Sequence, residues 1–230
     1  ELGGNFRIAS YPTGKGQLSE AIRSLIVKCQ KAGVDLRCGV EADEALLREM
    51  SPDAVILATG STPLVLPIPG LDTCGYVTAQ AMLEGKAPVG RKVLVVGGGM
   101  VGCEAAEYLA ERGHEVAIVE MKDEIAADVT PENRRYMFAN FEEHHVLLRP
   151  SAKVGQFYPD GVDYVLADGT SGSLRGYDSV VLAMGSRPNA ALKEAAEKLA
   201  AQVFVIGEAA KAPGNAVLAT GDALDAALKI

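Results

Sequence analysis

No apolar run in these 230 residues comes near the roughly 18 needed to span a bilayer, so no transmembrane helix and no membrane partner are expected. The opening residues Glu1-Leu2-Gly3-Gly4 offer neither a basic stretch nor an apolar one, and they predict no secretory leader. There is no initiator methionine, and the chain opens as if cut from a longer one. Cysteine is scarce. The four present, Cys29, Cys38, Cys74 and Cys103, form no CxxC pair and no metal-ligand spacing with the three histidines. His144-His145 lies in a polar stretch without the pattern of a metal site, so the histidines are read as surface residues and no metal is expected. A reduced, cytoplasmic protein is the simplest expectation. Basic clusters are lacking as well. With 22 Lys and Arg against 30 Asp and Glu, the net charge is −8, which argues against a general nucleic-acid binder.

The composition is otherwise that of a globular chain, 48% hydrophobic and 23% charged. Apolar residues at helical spacing predict a helix over 17–31, ended by Gly33. Val34 to Cys38 alternates like a short strand, and 44–49 reads as a brief helix. The continuous run Asp53-Ala-Val-Ile-Leu-Ala58 predicts a strand buried on both faces. Residues 64–75, rich in Pro and Gly, form a connector, followed by a short helix over 78–84. Further strands are predicted at 91–96, 115–120, 178–183 and 203–206, with helices at 100–112, 131–143, 193–201 and 221–230. Between 154 and 170, Asp160-Gly161 and Asp168-Gly169 mark hairpin turns. Strands alternating with helices define an α/β fold with mainly parallel sheets.

The most informative stretch runs from Lys92 to Glu120. Gly97-x-Gly99-x-x-Gly102 follows a strand and opens a helix. These glycines permit a tight turn, close approach of backbone to a pyrophosphate, and close helix–strand packing. Phosphates are expected at the helix start, against Gly98, Met100 and Val101, where unpaired N–H groups point outward. Glu120 ends the next strand, at the position about 20 residues on where a carboxylate accepts hydrogen bonds from ribose hydroxyls. Such a carboxylate repels the 2′-phosphate of NADP, so NADH is the expected cofactor, with Met121 beside it. The strand-end turns Thr59-Gly60 and Met184-Gly185 are further ligand candidates, Met184 and Gly185 for the same dinucleotide.

These motifs resemble the pyridine-nucleotide/flavin reductase superfamily, in which two dinucleotide-binding domains share one architecture. Leu2-Gly3-Gly4 is similar to the LGG that follows the second strand of its FAD domain. Ala58-Thr59-Gly60-Ser61-Thr62-Pro63 and Ala183-Met184-Gly185-Ser186-Arg187-Pro188 are similar to the segments by which the chain leaves and re-enters that domain. Val203-Phe-Val-Ile-Gly207-Glu208 resembles the family's final motif, whose acid binds the ribityl chain of FAD; here Glu stands where Asp is usual. The stretch Gly97 to Ala110, followed by Val119 to Ile125, resembles the C-terminal region of 2-enoate reductases and 2,4-dienoyl-CoA reductases, the NADH:flavin oxidoreductases of the old yellow enzyme type.

The resemblance implies a Rossmann-like NAD-binding domain over 76–183, inserted into a partial FAD-binding domain made of 1–75 and 184–230. It assigns Gly3, Gly4, Thr59, Gly60, Gly207 and Glu208 to FAD in the intact protein. It also implies an N-terminal barrel partner bearing FMN and an iron–sulfur cluster, in which an activated C=C bond is reduced. The FAD domain's own first strand–GxGxxG–helix–strand would lie before Glu1, so the isolated chain is expected to hold FAD poorly and to be inactive. The alternatives are a module that binds NAD(H) without turnover and an NADPH-dependent dienoyl-CoA reductase.

No catalytic acid, base or nucleophile is expected, because hydride transfer is the cofactors' chemistry. Glu104 and Glu107 lie one helical turn apart. That spacing suggests a carboxylate pair, but Glu104 is read instead as approaching the nicotinamide end of the cofactor, and Glu107 as exposed and structural. Arg187 is read either as a phosphate contact or as a strand cap. Cys103 is a small apolar residue on a buried helix face. Disulfide reductases of the superfamily are set aside, since Asn5-Phe6-Arg7 follows Gly4 where their cysteines stand. The sequence leaves the substrate and the oligomeric state open.

Overall fold

The computed structural model describes residues 1–230. Its helices are α1 (Gly4–Ile8), α2 (Gln17–Lys31), α3 (Glu44–Met50), α4 (Ala79–Leu83), α5 (Met100–Ala110), α6 (Pro131–Glu143), α7 (Lys193–Leu199) and α8 (Ala216–Ala227). The strands are β1 (Ala54–Leu57), β2 (Ser61–Pro63), β3 (Val77–Thr78), β4 (Lys92–Val96), β5 (Glu115–Val119), β6 (Leu147–Arg149), β7 (Ala152–Tyr158), β8 (Gly161–Leu166), β9 (Ser171–Arg175), β10 (Ser179–Leu182), β11 (Ser186–Pro188) and β12 (Gln202–Val205). The chain divides into two compact units. One comprises Glu1–Arg7, Leu18–Thr62 and Ser186–Ile230; the other comprises Ile8–Gln17 and Pro63–Gly185. The connector after Pro63, grouped with the flank in the sequence reading, belongs to the second unit, as does the short stretch Ile8–Gln17.

The second unit is built on a five-stranded sheet in the order β3-β10-β4-β5-β6, parallel throughout. Alternate residues of its central strands point to opposite layers. Val93, Val95, Val116, Ile118 and Val181 pack with Cys103, Ala105, Ala106 and Leu109 of α5 and with Met137 and Phe141 of α6. Leu94, Val96, Ala117, Val119, Val180 and Leu182 pack instead against Phe157, Val162, Tyr164 and Leu174 of the antiparallel β7-β8-β9 layer. Burial on both faces is why these strands read as unbroken apolar runs rather than as alternation. The two hairpins turn where expected, after Tyr158 and after Leu166.

The first unit has a smaller core. Strands β1 and β12 form a parallel pair, with Leu47, Val55, Leu57 and Ala196 buried around it. Asp43 caps α3 by accepting from Leu46 N–H at 2.8 Å, and Asn215 caps α8 by accepting from Leu218 N–H at 2.9 Å. The expected closing helix therefore starts earlier, at Ala216, and runs through Gly221. Two other expectations fail. Residues 34–37 adopt no regular secondary structure and pair with no strand, and Val34 is exposed, so the alternation there has no sheet to join. Strand β1 is buried on one face only, because Ile56 is 40% exposed; a two-stranded sheet has no layer to cover its other side. Sequence reasoning also missed α1 and the β2–β11 pair. No helix is long and apolar enough to cross a membrane.

Candidate functional site

In the five-stranded sheet β4 and β10 are neighbours, and β4 leads through α5 to β5 on its other side. Strand order thus reverses at β4, and the carboxyl edge at such a reversal is where ligands bind in open α/β sheets. Gly97 leaves β4 there with φ +108°, and a Cβ on it would lie 2.3 Å from the carbonyl oxygen of Ala183, just beyond β10. A Cβ on Gly102 would lie 1.9 Å from the carbonyl oxygen of Gly97, and one on Gly98 would lie 2.9 Å from Glu120 Cβ. Backbone is therefore in contact with backbone at the start of α5, and only glycine fits at 97 and 102. The same contact brings Met184 next to the loop, with Gly185 following it.

Glu120 follows β5 and is 7% exposed. One carboxylate oxygen accepts from Gly98 N–H at 2.5 Å and the other from Lys122 N–H at 2.8 Å. It therefore pins the glycine turn as well as presenting charge at the strand end, a second duty invisible in the motif. Met100, Val101 and Met121 surround the loop with their side chains 37%, 51% and 64% exposed.

Two residues of this unit were missed in the sequence. Asp128 accepts from Met100 N–H at 2.8 Å, the first amide of α5, and a Cβ on Gly99 would approach its carboxylate to 3.3 Å. The backbone before it is bolted to the loop, with Ala126 N–H donating to Gly98 O at 2.7 Å and Ala126 at φ +57°. Lys15 forms an ion pair with Glu104, which is 8% exposed. Glu104 is thus a buried, paired carboxylate. Glu107, one turn on, is half-buried rather than exposed. Its carboxyl is pushed above the usual carboxylate range by burial first and by Glu111 and Glu104 next, with Lys15 opposing. Cys103 is fully buried, its thiol pushed up to about 12 by burial and by the nearby carboxylates, and it donates to Gly98 O at 3.3 Å. That is the inert apolar role expected of it.

In the first unit, pairing of Leu57 with Val205 sets the turns after β1 and β12 at one edge. Gly60 (φ +69°) accepts from Asn189 N–H at 2.9 Å, and Thr59 Oγ1 donates to Asn189 O. Gly207 (φ +56°) donates to Asp222 Oδ2 at 3.0 Å. Glu208 accepts from Asn5 Nδ2 and Ser61 Oγ, both at 2.9 Å, and from Gly214 N–H at 3.1 Å. Asn5 stands one residue into α1, so Gly3 and Gly4 (φ +114° and +49°) reach the same edge. Arg187 Nε donates to Thr62 Oγ1 at 3.2 Å, a side-chain contact between the paired strands β11 and β2. The structure thus gathers the sequence-selected residues into two groups, one in each unit. In the second unit the glycine cradle, the start of α5 and the strand-end carboxylate fit a dinucleotide. The first unit brings Thr59, Gly60, Gly207 and Glu208 to one strand edge.

A family model for the pyridine nucleotide-disulphide oxidoreductases matches residues 17–227. The chain belongs to that family. The family is one of flavin-dependent NAD(P)H oxidoreductases, and its fold is the α/β arrangement described above. All four cysteines are free, and two of them are buried. Among relatives, the chain is 39% identical over 213 residues to an NADH oxidase of Thermoanaerobacter brockii, covering 90% of this chain and 33% of that one. It is 37% identical to a bilirubin reductase of Mediterraneibacter gnavus, covering 90% and 32%, and 31% identical to a cinnamate reductase of Clostridium sporogenes, covering 80% and 28%. The solved complex of a 2-naphthoyl-CoA reductase with 2-naphthoyl-CoA superimposes with a TM-score of 0.94 at 28% identity, over 100% of this chain and 35% of that one. These relatives agree with the resemblance to the enoate and dienoyl-CoA reductase group. The chain spans about a third of their length.

Proposed function

We propose that this chain is the NADH-binding part of a flavin-dependent reductase. The observation that carries the reading is the cradle at the start of α5, where Cβ atoms at 97 and 102 would strike backbone and Glu120 closes the neighbouring strand. In this reading NADH, when bound, supplies a hydride that FAD accepts. Gly97, Gly98, Gly99 and Gly102 let the backbone approach the diphosphate, and Met100 and Val101 line it. Met184 and Gly185 shape the rim beyond β10, and Met121 lies against the adenosine end. Glu120 receives the ribose hydroxyls on the lone pairs left by Gly98 and Lys122, and its charge disfavours a 2′-phosphate. Gly3, Gly4, Thr59, Gly60, Gly207 and Glu208 form the flavin-facing edge of the first unit.

The wider activity proposed is reduction of a conjugated C=C bond in an enoate-type substrate, on an FMN-bearing barrel with an iron–sulfur cluster that precedes this region. Cinnamate and 2-naphthoyl-CoA, named in two of the relatives, both carry a carbonyl conjugated with carbon–carbon double bonds. A second reading is binding of NAD(H) without turnover by this chain alone.

Calorimetric titration with NADH and NADPH, alongside a visible absorption spectrum, tests these readings. NADH binding without flavin bands supports the non-turnover reading for the chain alone. Binding with flavin bands supports reduction within the chain. Tighter binding of NADPH would point to an NADPH-dependent dienoyl-CoA reductase type. Glu120→Ala should weaken NADH binding about tenfold, the loss of roughly one charge-assisted hydrogen bond. Because Glu120 also holds the glycine turn, the NADH/NADPH ratio is the sharper readout. An unchanged ratio removes the assignment.

A further inference from the structure

The first amide of α5 is already taken. Met100 N–H points to Asp128 Oδ1 at 2.8 Å, and the missing side chain of Gly99 leaves the room in which that carboxylate sits. Asp128 makes no ion pair and is exposed, so within the protein its charge is met by this amide and the helix dipole, with solvent on its other side. The segment leading to it is anchored, since Ala126 N–H is bonded to Gly98 O and Ala126 is fully buried in the left-handed region. The side chain of Asp128 is therefore free to turn into solvent while its backbone stays against the glycine loop. A second carboxylate, that of Glu120, lies buried beneath the loop, while Glu104 on α5 is neutralised by Lys15.

We propose that Asp128 is a resident anion of the dinucleotide site, a carboxylate that satisfies the helix start in the absence of cofactor and must release Met100 N–H to the diphosphate when NADH binds. The inference rests on the dinucleotide reading above. Two anions compete for one amide, and the bound diphosphate stays next to the displaced carboxylate, so Asp128 weakens NADH binding while keeping the empty loop folded. The residue sets affinity rather than taking part in the chemistry. Release of the cofactor is correspondingly assisted, because the returning carboxylate restores the cap.

Asp128→Asn keeps an oxygen acceptor for Met100 N–H and removes the charge. The expected result is a Kd for NADH and for ADP-ribose lower by about five- to tenfold, or roughly 1 kcal/mol, in calorimetric titration. The gain should shrink as salt is raised, because the repulsion it removes is screened. Asp128→Ala should also bind more tightly but melt at lower temperature without ligand, having lost the cap. Equal or weaker NADH binding by a folded Asp128→Asn, or a gain indifferent to salt, overturns the proposal and leaves the dinucleotide reading standing. Failure of the native chain to bind either nucleotide overturns both.

Discussion

Glu107 lies half-buried on α5 between Glu104 and Glu111, and the folded chain holds its proton more tightly than the unfolded chain does. Stability tied to this carboxyl therefore falls as pH rises from the ordinary carboxylate value near 4.5 through the raised folded value, and it returns as pH is lowered across that window. Exchange for Gln removes the titration. Because about half of the group faces solvent, the gain at neutral pH is small, a few tenths of a kcal/mol or roughly 1 °C in Tm. Melting curves between pH 4.5 and 8 should show the native chain converging on Glu107→Gln at the acid end. Parallel curves would remove the assignment. At this scale the glycine loop and Glu120 were legible in the sequence, because a glycine pattern between a strand and a helix, followed by an acid at the next strand end, forms a spaced motif. Asp128 and Lys15 were not. Their partners lie 28 and 89 residues away, and an acid or a lysine in a polar loop carries no periodic signal.

Among the elements, the β4–α5 junction is the most constrained. Alanine at 102 would put a methyl carbon 1.9 Å from the Gly97 carbonyl oxygen, a backbone atom that cannot turn aside as a flexible side chain would. The junction must open, and Gly102→Ala is expected to cost about 1–3 kcal/mol in urea unfolding. NADH affinity should fall at least tenfold in the same variant, since the loop would no longer approach the diphosphate. Normal binding would show that the cradle is not the cofactor site. The central strands β4, β5 and β10 were readable because burial on both faces leaves an unbroken apolar run. The similar run around β1 misled for the same reason, since a run records apolar content but not whether a second layer covers it. Ile56 is the residue that shows the difference.

In the whole molecule, the two units have unequal cores. One sheet is covered by helices on one side and by an antiparallel layer on the other; the other core gathers around a single parallel pair. Hydrogen exchange should follow this difference, with the amides of β4, β5 and β10 exchanging slowest and those of β1 and β12 considerably faster. Equal protection in both sets would contradict it. Fold class was accessible from the alternation of strands and helices, whereas the grouping of Ile8–Gln17 with the larger unit was not. Ile8 and Tyr11 join the larger core through contacts with distant residues, and no composition shift marks their segment.

The free thiols grade this architecture by reach. Cys38 is exposed and Cys29 partly so, while Cys74 and Cys103 are shut inside the larger unit. A maleimide dye will therefore mark Cys38 on the native chain without touching the glycine loop. Cys103, lodged against the carbonyl of Gly98 and with its thiol pushed up to about 12, reacts only when the layer beneath α5 has come apart. Counting modified cysteines thus turns the chain into its own gauge of whether the cofactor cradle is intact.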